Sequence, residues 1–212
     1  MNIVQQEWLQ ISALSGDDLK RRVFSIMQDA ALSINTSASD DPGLLEIVPR
    51  LADLVASRQE LTSYREAFSA LARATGLWNY IDKDTADVAD ALVAETVTVP
   101  ELGGVTLHRE QIAVLNDLFD GKNLILSAPT SFGKSLLIDA LLASRRYGRV
   151  AIVLPTIALL DEFRRRLRRR FKDSFQVVMH PNDLPTEGPT IFLGTQERLI
   201  NRQDLGTLDL TV

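Results

Sequence analysis

The chain has 212 residues, which at about 150 residues per domain makes one large or two small domains and excludes a staple-dependent miniprotein. With 45% hydrophobic and 24% charged residues and a net charge of −5, it sits near the soluble globular average, which excludes wholesale disorder and a membrane-embedded fold. The absence of cysteine removes disulfides, thiolate metal sites and cysteine nucleophiles, and two histidines leave metal chemistry little to work with.

The first ten residues, MNIVQQEWLQ, lack the basic start and apolar stretch of a secretory signal, and no run approaches the ~18 apolar residues of a spanning helix. A cytoplasmic protein without a membrane segment is therefore expected. Ser15 followed by Asp18 marks a helix start, and Leu19, Val23, Ile26, Ala30 and Ile34 recur at spacings of three and four, the signature of an amphipathic helix. The turn formers from Asn35 to Gly43 predict a loop. Leu44, Ile47, Val48, Leu51, Leu54 and Val55, then Leu61, Tyr64, Phe68 and Leu71, keep helical spacing. Pro49 should kink or restart that segment, and Gly76 should end it. Asp84 to Glu95 offers one more helix. Trp78, Asn79 and Tyr80 have no basic neighbours and read as ordinary packing.

Residues 1–98 thus form a small all-α domain. Met1 to Pro100 holds 8 basic and 15 acidic residues, whereas Glu101 to Val212 holds 15 and 13. A surface of that first sign repels phosphate, so a protein partner suits the helical domain better than nucleic acid.

From Thr96 to His108 the period changes to two around a Pro and Gly cluster, suggesting a short hairpin or extended linker. Beyond it, Asn123 to Ser127, Val150 to Leu154, Phe175 to Met179 and Thr190 to Leu193 read as strands. Helices are predicted at Arg109 to Phe119, Ser135 to Tyr147, Ile157 to Phe171 and Gln196 to Asn201. Such alternation makes residues 99–212 an α/β domain with a parallel sheet.

The residues Ala128, Pro129, Thr130, Ser131, Phe132, Gly133, Lys134 and Ser135 follow the apolar run Leu124-Ile125-Leu126 and precede a helix. This is a Walker A loop of the form Ala-x4-Gly-Lys-Ser. Its chemistry calls for main-chain N–H groups converging on phosphates at the positive end of a helix. Gly133 lets the backbone approach, Lys134 supplies a charge for the β and γ phosphates, and Ser135 supplies a hydroxyl to Mg²⁺. ATP and Mg²⁺ are the cofactors this predicts. Ala128 and Ser131 stand where many such loops have glycine, which the backbone tolerates if neither takes a left-handed conformation.

With this loop in place, roughly Leu107 to Leu199 resembles the first RecA-like domain of superfamily 2 (DEAD/DEAH-like) helicases. Leu107-His108-Arg109-Glu110-Gln111 looks like the Q motif, whose glutamine reads the adenine edge, a role the resemblance gives to Gln111. Pro155-Thr156-Ile157-Ala158-Leu159 resembles motif Ia, and Gly194-Thr195-Gln196-Glu197-Arg198-Leu199 resembles motif Ib, with Gln196 where the family commonly has proline. The resemblance implies contact between single-stranded DNA or RNA and Pro155, Thr156, Thr195 and Arg198. Thr195 should cap its helix as well. The arginines from Arg164 to Arg170 flank an apolar stripe and read as a solvated outer face, with an electrostatic guide for the strand as the sharper alternative. Asp161-Glu162 falls inside a helix rather than at a strand tip, so it cannot serve as the metal-holding pair.

Thr207 to Val212 looks like the start of the strand that ends in the family's Asp-Glu pair, which the sequence does not reach. A partial RecA-like domain, inactive by itself and poorly soluble, is the expectation. A narrower likeness, to helicase subunits of bacterial antiphage systems such as Hachiman, implies a nuclease or other protein partner on the helical domain. Two other readings stay open. One is a complete, non-hydrolysing, nucleotide-responsive interaction module; the other is a P-loop NTPase of another class, whose hydrolysis would ignore nucleic acid.

Overall fold

A computed structural model describes residues 5–36 and 42–212. The chain divides into two compact units, Met1–Leu124 and Ile125–Val212.

The first unit opens with α1 (Gln5–Ala13), α2 (Gly16–Thr36) and α3 (Pro42–Ser57); residues 37–41 of the predicted loop lie outside the described residues. Helix α3 runs through Pro49 without ending there, so the expected restart does not occur. The break comes instead after Ser57, in a 3₁₀ segment at Gln59–Tyr64 that leads into α4 (Arg65–Thr75). Gly76 ends α4 in the left-handed conformation at φ 78°, as a glycine C-cap does. A Cβ there would lie 2.6 Å from Cβ of Arg109, so this glycine also admits a close approach.

Helix α5 (Val88–Thr96) is capped by Asp87, whose carboxylate accepts from the Asp90 N–H at 2.8 Å. The period-two stretch forms an antiparallel hairpin of β1 (Thr98–Val99) and β2 (Val105–Thr106). Helix α6 (Arg109–Phe119) closes the unit. Leu19, Val23, Ile26 and Ala30 of α2 share a buried cluster with Ile47, Val48 and Leu51 of α3 and with Phe68, Leu71 and Ala72 of α4. Each set is spaced so that its members fall within one helical face, with separations of three or four residues linking successive turns, so each helix turns one apolar stripe inward. Trp78 and Tyr80 pack against the same cluster.

The second unit alternates α7 (Lys134–Ala143), β3 (Arg149–Val153), α8 (Ile157–Phe171), β4 (Gln176–Val178), β5 (Thr190–Gly194), α9 (Gln196–Ile200) and β6 (Leu210–Thr211). The four strands form a parallel sheet in the order β4-β5-β3-β6. Every residue of β5 is buried, as suits a strand covered on both faces. The result is the α/β fold of a partial RecA-like domain behind a helical segment.

One predicted strand is absent. Asn123 to Ser127 has no strand structure, and Ile125 is fully exposed. A strand exists only as half of a ladder. Edge strand β6 is two residues long and pairs with Val150 and Ala151 on its inner side; no described strand lies on its other side. Among the described residues, no helix is long and apolar enough to cross a membrane.

Candidate functional site

The loop at Ala128 to Ser135 is built from three backbone features. Pro129 is extended (φ −62°, ψ 167°), Thr130–Phe132 make one 3₁₀ turn, and Gly133 sits at φ 83°, ψ 34°. Among the described residues, Arg145 alone of the non-glycine residues has positive φ, so neither Ala128 nor Ser131 needs the freedom of glycine. Gly133 does need it, because its left-handed turn reverses the chain into α7.

The carbonyl of Gly133 accepts from Leu136 and Leu137 at 2.8 and 3.1 Å. The N–H groups of Gly133, Lys134 and Ser135 have no acceptor among the described residues. The first turn of α7 thus presents donors with the positive end of the helix behind them. The Lys134 ammonium folds over the loop and donates to the carbonyls of Ala128 (2.5 Å) and Pro129 (2.8 Å). Ser135 is exposed.

A second cluster lies on the carboxyl rim of the sheet. Strands β3 and β5 are parallel neighbours with Val153 opposite Gly194, and the Leu154 N–H donates to Gly194 O at 3.0 Å. Pro155 and Thr156 therefore leave the sheet beside Thr195. Thr156 caps α8, its hydroxyl accepting from the Leu159 N–H at 3.3 Å. Thr195 holds the cap position of α9, but its hydroxyl makes no cap bond. The Glu197 carboxyl is held below its ordinary range first by its own backbone N–H and then by the Thr195 hydroxyl. The predicted cap is thus corrected: a carboxylate two residues on competes for the same hydroxyl. Arg198 is exposed on α9. Gly194 brings that helix close, since a Cβ there would lie 2.9 Å from Cγ of Leu199.

Gln111 lies in the first unit, at the third position of α6, and is 4% exposed. Its Oε1 accepts from the His108 N–H at 3.0 Å while the His108 ring accepts from the Gln111 N–H, a capping box. This fixes the amide's orientation by local bonds.

The arginine run is only partly solvated. Arg166 and Arg170 pair with Asp139 of α7, Arg166 at 3.3 Å. Asp139 is 1% exposed. Burial pushes its carboxyl above the ordinary range against the opposing pull of the two guanidinium groups. This ionic contact ties the loop's helix to the helix that begins at Thr156. The sequence signal for it is Asp139 itself, the one acid in the otherwise apolar helix KSLLIDALLA. Arg149 and Arg202 organise the approach to β6. Both guanidinium groups lie over the Phe192 ring, at 5.1 and 5.4 Å, and Asp209 accepts from the N–H groups of Gly148 and Arg149 at 2.8 Å.

Compared with known proteins, residues 108–212 match the DEAD/DEAH box helicase family. The chain is also 35% identical over 158 residues to "Anti-bacteriophage protein B" of Escherichia coli (strain K12), an alignment covering 74% of this chain and 22% of that relative. The chain thus spans about a fifth of the relative's length. No solved structure matches it.

Proposed function

Because residues 108–212 of this chain belong to the DEAD/DEAH box helicase family, we propose that the chain supplies the nucleotide loop and part of the strand grip of an ATP-dependent helicase or translocase. Its similarity to a protein named for action against bacteriophage supports a role in antiphage defence. The observation that carries the nucleotide reading is the turn at Gly133, which leaves three N–H donors unpaired at the mouth of α7 beneath the Lys134 ammonium.

In this reading the N–H groups of Gly133, Lys134 and Ser135 hold the β-phosphate oxygens of ATP, and Ala128 to Phe132 form the wall of the cradle. Lys134 exchanges its two loop carbonyls for phosphate oxygens, a trade of neutral acceptors for charged ones that favours binding. Ser135 holds Mg²⁺ through its hydroxyl. The Ser135 hydroxyl is exposed on the first turn of α7, a hard oxygen donor that would suit a cation whose other oxygens come from the nucleotide. Mg²⁺ held there would supply charge neutralisation to the phosphates. The adenine-edge role of Gln111 is proposed on its likeness to the Q motif alone. We place the functional boundary between helical and RecA-like parts at residues 98 and 99.

Pro155, Thr156, Thr195 and Arg198 would hold the backbone of single-stranded DNA or RNA on the carboxyl rim, the edge at which open α/β sheets bind ligands. A nuclease or other protein partner docks on the acidic helical part, and the protein works in the cytoplasm. Calorimetry of the intact protein with ATP and Mg²⁺ tests the loop. Lys134→Ala is expected to abolish turnover while leaving the fold and strand binding in place; hydrolysis at the wild-type rate would remove the lysine from this role.

A further inference from the structure

Helix α8 divides its surface three ways. Leu160, Phe163, Leu167 and Phe171 are buried. Arg166 and Arg170 on one flank serve Asp139. The opposite flank carries Arg165, Arg168, Arg169 and, one residue past the helix, Lys172, at the spacings i, i+3, i+4 and i+7 that place side chains on one face. All four are exposed. None forms an ion pair among the described residues, and Arg165 donates only to the Asp161 carbonyl. The acids near this flank are Asp161 and Glu162 at its start, Asp173 directly after Lys172 and Asp183 beyond β4, and among the described residues none of them forms an ion pair with the four cations. Asp183 is already bonded to the His180 N–H.

This flank borders a groove of about 640 Å³ at edge strand β4, where Arg168 and Lys172 face Gln176, Asn182 and Asp183. The helix dipole accounts for cations in the last turn. It does not account for their gathering on one flank, where each like-charge pair at i, i+3 or i, i+4 destabilises the helix.

We propose that Arg165, Arg168, Arg169 and Lys172 form a phosphodiester-binding face that holds nucleic acid outside the carboxyl-rim grip. The choice of ligand rests on the helicase reading above. The four residues lie 9 to 16 positions beyond Thr156, or roughly 13–24 Å along the axis at about 1.5 Å per residue, so a strand held at the rim does not reach them without extending over this side of the sheet. The flank offers charge and planar donor forks, with Leu184 the one large apolar side chain exposed at the groove. That chemistry suits phosphate better than a protein interface, whose core is depleted in charge.

The test compares the intact wild-type protein with a variant carrying Arg165→Ala, Arg168→Ala, Arg169→Ala and Lys172→Ala, and with a second variant that replaces the three arginines by lysine. Affinity for a single-stranded oligonucleotide and for a duplex is measured from 50 to 200 mM salt, with circular dichroism to verify folding. The alanine variant is expected to lose about 3 from the log–log salt slope, or about 60-fold of wild-type affinity change across that range. The lysine variant should keep the slope. Loss with duplex alone identifies the paired region as ligand, and loss with the single strand alone identifies the unwound one. An alanine variant that folds and keeps the wild-type slope with both nucleic acids overturns the proposal. Wild-type protein that binds neither would instead overturn the helicase reading on which it rests.

Discussion

Asp139 offers the sharpest test of how the second unit is held together. Replacing it by alanine leaves two guanidinium groups facing an emptied acceptor site. Arg170, at 37% side-chain exposure, can turn to water; Arg166, at 15%, cannot. Removing one partner of a buried pair costs ~3–5 kcal/mol, and with one arginine able to rehydrate we take the lower end, ~3 kcal/mol. At about 1–1.5 kcal/mol per M of urea for a unit of this size, the unfolding midpoint should fall by roughly 2–3 M.

The chain provides its own control. Both tryptophans, Trp8 and Trp78, lie in the first unit, so their fluorescence follows that unit while far-ultraviolet circular dichroism records the whole chain, including the shift in the second. A variant with Asp139→Leu, Arg166→Met and Arg170→Met should recover most of the loss, because a buried ionic cluster can be exchanged for apolar packing at little cost. The reasoning fails if Asp139→Ala shifts stability by less than ~0.5 kcal/mol, the size of a surface effect, or if the triple variant is as unstable as the single one. The pH dependence carries the same logic. Burial raises the folded-state value of this carboxyl above 3.8, so between 3.8 and that raised value the native unit binds a proton that the unfolded chain has released. Its stability therefore falls as pH rises through that window, and Asp139→Asn should remove the dependence.

Gly76→Ala should destabilise the first unit by ~2 kcal/mol or more, since it adds left-handed strain to a collision with Arg109; a tryptophan-detected urea midpoint reads it directly. Asp87→Ala removes the bond to the Asp90 N–H and should cost about 1 kcal/mol in the same assay. An unchanged midpoint would show that α5 starts without its cap.

What local sequence could specify, it specified well. Helices α6 and α8 occupy the predicted residues from first to last, because each begins at a side chain that satisfies its own first turn, His108 and Thr156, and then repeats one apolar stripe. The strands β3, β4 and β5 lie within a residue of their apolar runs. The failure at Asn123 to Ser127 comes from the opposite circumstance. Leu124-Ile125-Leu126 is as apolar as β3, but an apolar run becomes a strand only beside another strand, and pairing is a property of distant residues. At Pro49 the helix does not restart: a proline removes one helical bond, and burial of Ile47, Val48 and Leu51 holds the helix across that gap. At the site, the loop's residue types disclosed the Gly133 turn, while helical periodicity placed Arg166 and Arg170 beside the core stripe without disclosing that Asp139 waits on a neighbouring helix.

The bare α carbon at Gly194 has mechanical meaning. Since β5 meets α9 through a residue without a side chain, the helix bearing Arg198 stands directly on the sheet, not at the end of a tether. The root of the Arg198 side chain is thereby fixed to a strand buried along its whole length, and the exposed guanidinium sweeps only the reach of its own side chain.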